Sequence, residues 1–342
     1  MKPTELIEIL KKKREELTKV KKAREDLEKV RRNEARDYIF EHYYDDINLS
    51  QEFMKNLFIA ETNYRNELDF DSIYKKYNTP EMYQLNTKMD YATTIEIATK
   101  FFSELDPSYA NYFQKRINDK SGIKFGTNPY TNVESREVEL TKYGDLRDLY
   151  TIVHEFSHLF DSSVKGDTLT RNILTETAAQ SMERLLDSFL MQLDNNELAK
   201  YGFSKQQLNQ DILERRISTF IQRMHSIQSI MPEFQNCDFG AKAADSGYML
   251  AQIYSTKFST LSYEEQKSRI KQLIDNISID KFQSFDEFNK SDDLTDLLDI
   301  DLSVNNLNRG EILNETINNI VNDYKNLKNI DRSIEVEDRN IK

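Results

Sequence analysis

The stretch EVELTKYGDLRDLYTIVHEFSHLFD, residues 137–161, joins a short alternating segment to a long apolar helical pattern. Val138 and Leu140 alternate with charged residues, which is typical of a strand with one buried face. Asp145 is suited to cap a helix that begins at Leu146, because its carboxylate can accept a backbone N–H of the first turn. The sequence therefore predicts a strand that leads directly into a mostly buried helix.

This predicted helix carries two of the four histidines of the chain, His154 and His158. Residues four apart on a helix project from the same face, so both imidazoles can reach one ion. Imidazole nitrogen suits zinc, and a catalytic zinc keeps one position for water. Glu155 lies about a hundred degrees around the helix, where it could hold that water and take its proton. The spacing thus indicates a metal site with its own general base.

A third ligand is expected from the helical pattern at residues 174–190, LTETAAQSMERLLDSFL. Glu176, Gln180 and Glu183 form one polar stripe on this otherwise apolar helix. We expect Glu176 to be the third ligand and Glu183 to accept a hydrogen bond from a ligand imidazole. Asp161 is a competing candidate for that supporting contact. For Gln180 and Glu183, simple solvation of a partly exposed face remains open.

Together these segments resemble the metallopeptidase family of thimet oligopeptidase and oligoendopeptidase F. In that family a strand leads into a helix bearing His-Glu-Phe-Gly-His, and a later helix begins Glu-x-x-x-Gln-x-x-Glu, which is similar to ETAAQSME here. The likeness covers roughly residues 95–328. It implies one zinc ion per chain, a general base at Glu155, and zinc ligands at His154, His158 and Glu176. It also places Glu183 at the second glutamate of the later helix.

A further segment, SGYMLAQIYSTKF, is similar to the part of the family that bears a tyrosine facing the substrate carbonyl. The resemblance therefore implies that Tyr248 donates a hydrogen bond to the developing oxyanion, worth about 3 kcal/mol if well placed. Ser157 stands where the family has glycine, and Asp161 stands where a histidine is common. The preceding FQNCDFGAKAADS lacks the family's oxyanion-stabilising histidine and tyrosine, for which His225 is a candidate substitute.

The resemblance implies a mainly α fold class: a helical, zincin-type catalytic domain with a small β-sheet beside the zinc helix. Eight glycines and five prolines in 342 residues favour long helices and few loops. We assign residues 1–48 to a long charged helix or helical hairpin, 49–328 to the catalytic domain, and 329–342 to a frayed or disordered tail. Strands are expected within 123–145. Helices are expected at about 50–69, 80–90, 92–118, 171–193, 205–230, 241–259, 263–277 and 310–327.

Composition excludes several classes of function. A net charge of −12 disfavours a sequence-independent nucleic-acid surface. One cysteine, Cys237, allows no intrachain disulfide. Because no signal peptide and no apolar stretch of ~18 residues is found, we expect a cytoplasmic protein without a membrane span. The oligomeric state is left open.

The favoured function is that of a zinc metalloendopeptidase acting on peptides or unfolded polypeptides. Two alternatives remain open. One is a protease dedicated to a single protein partner, with the N-terminal helix as recognition arm. The other is a non-catalytic zinc-binding interaction protein on a decayed peptidase scaffold. The sequence does not separate zinc from manganese or cobalt, although a His-His-Glu set most often binds zinc.

Overall fold

A computed structural model describes most of the chain from residue 85 onward. Its ranges are 85–120, 122–132, 135–160, 168–230, 248, 251–256, 258–259, 261–277 and 316–330, together with the helical Lys19 and Lys22; at 168–174, 224–230 and 276–277 it describes the backbone alone. The predicted helix at 50–69, almost all of the predicted N-terminal helix, and the part of the predicted tail (329–342) after residue 330 lie outside these ranges; residues 329 and 330 are helical.

The described part is mainly helical with one small sheet, which confirms the coarse fold prediction. Its helices are α1 (Tyr91–Leu105), α2 (Pro107–Asp119), α3 (Leu146–Phe160), α4 (Thr168–Gln192), α5 (Asn195–Lys200), α6 (Lys205–Ile230) and α7 (Tyr263–Ile277). Residues 251–256 and 316–330 are also helical. None of the helices in this part is long and apolar enough to cross a membrane.

In the helical pattern predicted at 92–118, for which a helix start or break is expected near Pro107, the structure has two helices that meet at Asp106. This residue is extended, with φ −158° and ψ 126°, and its carboxylate accepts the backbone N–H of Ser108 at 2.8 Å. Pro107 follows as the first residue of α2, where its missing N–H leaves no helical bond unmade. The chain therefore ends one helix and begins the next within a single residue.

The predicted helix at 80–90 is wrong for its described part, which begins at residue 85 and is not helical. Asn86 and Thr87 donate their backbone N–H groups to the buried carboxylate of Asp211, at 2.9 and 2.5 Å. Because these donors are used in a contact with α6, they are not available for helical hydrogen bonds.

Three short strands form the sheet: β1 (Ile123–Phe125), β2 (Tyr130–Asn132) and β3 (Glu137–Leu140). Their spatial order is β1-β3-β2, with β1 parallel and β2 antiparallel to β3. Val138 and Leu140 are fully buried, as the alternation in β3 predicts. The strand expectation for 123–145 is therefore met by a sheet whose central strand is the one that precedes α3.

Two carboxylates fix the direction of α3 as it leaves the sheet. Asp145 accepts the backbone N–H of Arg147 at 3.0 Å, as expected of the helix cap. Asp148 accepts the backbone N–H groups of Tyr143 and Gly144, both at 2.8 Å. Gly144 has φ +73°, a conformation that L-residues with a side chain rarely adopt. The turn between β3 and α3 is thus held at both of its ends.

Helix α3 lies at the centre of the described part, packed against α1, α4, β2 and β3. Its Phe156 is fully buried and meets the rings of Phe102 and Phe113 with centroids 6.4 and 4.7 Å away. Aromatic burial of this kind is the main driving force for fixing the helix. The histidines on α3 are therefore presented by a rigid element.

Candidate metal centre

Helices α3 and α4 bring the side chains of His154, His158 and Glu176 together. One potential ligand atom from each lies within 4.8 Å of the other two. The Nε2 atoms of His154 and His158 lie 3.5 and 3.4 Å from the two carboxylate oxygens of Glu176. The imidazole rings are perpendicular, with centroids 5.0 Å apart. Two nitrogens and one carboxylate therefore converge on a common point.

Because His154, His158 and Glu176 are largely buried, the charges of neighbouring side chains strongly affect the pKa values of His154 and Glu176. Burial opposes the protonation of His154, but the carboxylates of Glu176 and Glu183 outweigh it and raise the pKa of His154 to about 9. Burial likewise opposes the ionisation of Glu176, but His154 and His158 outweigh it and lower the pKa of Glu176 to about 2. At neutral pH His154 is therefore positively charged and Glu176 negatively charged, so a metal ion bound here would replace a proton on His154.

An unsatisfied oxygen shows that a metal ion would fit here. Oε2 of Glu176 is buried and accepts no hydrogen bond from the described residues. A buried carboxylate oxygen without a hydrogen bond is costly, and the ion pair with Nε2 of His154 at 3.5 Å offsets only part of that cost. A cation held by this oxygen and the two imidazoles would remove that cost, and two imidazoles with one carboxylate are a usual donor set for zinc. These three residues could therefore hold a metal ion.

Glu155 lies next to this group on α3 and is 5% exposed. The hydroxyl of Thr131, in β2, lies 2.8 Å from both the backbone oxygen and Oε2 of Glu155. Both atoms are acceptors, so the hydroxyl donates its single hydrogen to one or shares it between them. The sheet therefore restrains the carboxylate of Glu155. Sequence reasoning missed Thr131, because the spacing of residues does not show which strand residue faces α3.

Glu183 lies behind His154, on the side away from Glu176. Its Oε1 is 2.7 Å from Nδ1 of His154. Burial opposes the ionisation of Glu183, but the charge of Arg215 and the contact with His154 hold its pKa far below the usual range. An ionised carboxylate can only accept, so Nδ1 of His154 donates and Nε2 faces Glu176. Sequence reasoning proposed this role for Glu183 but missed Arg215.

Tyr248 lies close to Glu176 and Glu155, whose charges act on its hydroxyl. The charge of Glu176, followed by burial, raises the pKa of Tyr248 to about 12, so its hydroxyl stays protonated at neutral pH. Gln180 donates from Nε2 to the backbone oxygen of Tyr248 at 3.3 Å. In the polar stripe of α4, Gln180 thus contacts Tyr248 and Glu183 contacts His154.

Of the remaining candidate residues from the sequence, the structure describes Ser157 but not Asp161 or the side chain of His225. Ser157, at the position of the family's glycine, is fully buried and donates from Oγ to the backbone oxygen of His154 at 2.6 Å. The helix therefore accommodates the serine without disturbing the two histidines.

Comparison of the chain with models of known protein families, with curated proteins and with solved structures finds no match. The resemblance to thimet oligopeptidase and oligoendopeptidase F thus gains no support from these comparisons, and a functional interpretation depends on the geometry of the site.

Proposed function

We propose that the protein is a zinc-dependent metallopeptidase that hydrolyses peptide bonds in oligopeptides or unfolded polypeptides. The observation that carries the proposal is the position of Glu155: a buried, restrained carboxylate beside a His-His-Glu group but not part of it. Zinc held by His154, His158 and Glu176 would acidify a water molecule and polarise the scissile carbonyl.

Glu155 would act as the general base. Its carboxylate lies on the helix turn that carries both histidines, and Thr131 limits its rotation. In this position it would take a proton from the attacking water and later give that proton to the leaving amine. The hydroxyl of Tyr248, protonated at neutral pH, would donate a hydrogen bond to the carbonyl oxygen as negative charge develops on it.

The sheet supports a peptide as the substrate. β2 is at the edge of the sheet, and among the described strands it pairs with β3 alone. Its other edge offers backbone N–H and C=O groups to an extended chain, which is a common way of binding peptides. Because Thr131 of this strand touches Glu155, a peptide added at that edge would run past the proposed base.

The variant Glu155→Gln tests the proposal. Zinc content is measured by elemental analysis, and cleavage with a mixed library of quenched fluorescent peptides. We expect stoichiometric zinc in both proteins and a loss of cleavage by about 10²- to 10⁴-fold in the variant, because the amide has the shape of the carboxylate but cannot take a proton. A wild-type protein without zinc would overturn the proposal. Zinc in both proteins with cleavage in neither would favour the non-catalytic zinc-binding scaffold.

A further inference from the structure

A buried arginine on α6 reaches the site from behind. The NH2 group of Arg215 lies 2.6 Å from Oε2 of Glu183, whose other oxygen is 2.7 Å from Nδ1 of His154. Only 18% of the Arg215 side chain and 11% of that of Glu183 are exposed. Three contacting side chains, Arg215 of α6, Glu183 of α4 and the potential ligand His154 of α3, therefore form a continuous chain.

The two contacts of Glu183 have different consequences. A carboxylate that accepts one bond can still rotate about its last torsion, which is broad and poorly restrained. A second, charge-assisted bond to the other oxygen fixes both oxygens. Arg215 also balances a charge that would otherwise be buried near the carboxylates of Glu176 and Glu155.

Arg215 is itself held in place by the helix that carries the histidines. Its guanidinium lies 3.7 Å from the ring centroid of Tyr150, one turn before His154 on α3. The hydroxyl of Tyr150 donates to Asp187 of α4. Arg215 thus contacts α3 through Tyr150 and α4 through Glu183.

We propose that Arg215 is a positioning residue of the metal centre: it fixes the Glu183 carboxylate, which orients the His154 ring so that Nε2 faces the ion. The inference rests on the metal centre of the proposed function, but not on peptide hydrolysis. It assigns to α6 a part in metal binding, although α6 contributes none of the three potential ligands.

The adjacent Arg216 provides a matched control. It has a similar exposure, 21%, and is also paired with carboxylates: its Nε lies 2.7 Å from Asp187 and its NH1 3.9 Å from Asp323. No contact between Arg216 and Glu183 is present in the described part of the chain. Replacing either arginine with glutamine removes one buried positive charge from the same turn of α6. A general effect of charge or stability would therefore appear in both variants.

The experiment measures the zinc affinity of the metal-free protein by competition with a chromophoric chelator. We expect Arg215→Gln to lower this affinity by about 10- to 100-fold, as is usual when support of a ligand histidine is lost. Arg216→Gln should change it by no more than about twofold, because Arg216 pairs with Asp187 and Asp323 and not with Glu183. If Arg215→Gln does not fold, Arg215→Lys replaces it; a single ammonium cannot reproduce the planar contacts, so a loss of about tenfold is expected.

A double-variant comparison shows whether Arg215 acts through Glu183. Glu183→Gln and Glu183→Gln/Arg215→Gln should bind zinc equally, because the arginine has no carboxylate left to fix. The cobalt-substituted protein adds a spectroscopic readout, in which the visible absorption bands should shift in Arg215→Gln but not in Arg216→Gln.

Equal zinc affinity in the Arg215 and Arg216 variants would overturn the inference, as would a further loss in the double variant. A wild-type protein that binds zinc but cleaves no peptide would overturn the proposed function and leave the role of Arg215 intact. A wild-type protein that binds no zinc would overturn both.

Discussion

At the scale of single residues, the hydroxyl of Thr131 is the contact that joins the sheet to the proposed base. It lies 2.8 Å from Oε2 of Glu155, and a hydrogen bond to a charged group contributes about 1.5–3 kcal/mol. We expect Thr131→Val, which keeps the shape of the side chain, to lower kcat by roughly 10- to 100-fold with KM little changed. Steady-state kinetics with a cleavable peptide from the library measures both constants.

Thr131→Ser is the control for this prediction, because it keeps the hydroxyl and removes only a methyl group. It should restore most of the lost rate. Zinc content should be equal in wild type and both variants, since Glu155 is not one of the three potential ligands. Wild-type kcat in Thr131→Val would show that the restraint on Glu155 is not needed.

The sequence predicts the part of the site that depends on helical spacing. His154, Glu155 and His158 share one turn, and a polar stripe pointed to Glu176 on the next helix, which the structure places within reach of both histidines. Contacts such as the one made by Thr131 depend on how separate elements pack. No local pattern encodes them, and the sequence alone therefore does not reveal them.

At the scale of helices and strands, Asp106 is the junction between α1 and α2. Its carboxylate accepts a hydrogen bond from Lys271 of α7 and caps α2 through Ser108, and these contacts, the first above all, lower its pKa to about 2. Because this pKa lies below the usual value of 3.8 for an aspartate, the contribution of the charge to stability is complete above that pH. It is lost as the pH falls through about 2.

We therefore expect Asp106→Asn to be less stable than wild type at pH 5 and to approach wild-type stability near pH 2. Asparagine keeps the helix cap, so the difference reports the charge. Urea unfolding at both pH values measures it, and Lys271→Met should show the same trend. A constant difference at the two pH values would show that Asp106 contributes through the cap alone.

Local sequence signals predict a helix boundary well where the free backbone groups at the helix end form hydrogen bonds with neighbouring residues in the sequence. The capping box of α7 is one case: Ser262 donates its N–H to Glu265 at 3.1 Å, and the N–H of Glu265 approaches Ser262 Oγ at 3.4 Å. The error at 80–90 has the opposite cause. There the backbone donors bond to Asp211, which is more than a hundred residues away, so no nearby residue indicates it.

At the scale of the whole molecule, helical periodicity and the scarcity of glycine and proline were sufficient to predict a mainly α fold, whereas the small sheet was expected from the alternation at 123–145 and from the family resemblance. They could not predict the buried charged cluster behind the site, in which Arg216 is paired with Asp187 of α4 and Asp323 of helix 316–330. Charged residues on a helix are normally expected to face solvent. Here they pair across three helices, and only the tertiary arrangement shows it.

The proposed metal centre should also contribute to the stability of the whole fold, because its residues come from two helices, α3 and α4. A ligand that binds only the folded state raises the free energy of unfolding by about 2.7 kcal/mol at a hundred times its Kd. We therefore expect zinc to raise the thermal midpoint of the metal-free protein by roughly 3–5 °C, with a chelator reversing the change. Calorimetry over a series of zinc concentrations measures the shift.

Glu176→Gln should lose most of this response to zinc, whereas Glu155→Gln should keep it, because Glu155 would lie beside the ion without binding it. A midpoint that does not depend on zinc in wild type, or equal responses in the two variants, would contradict the assignment of the ligands.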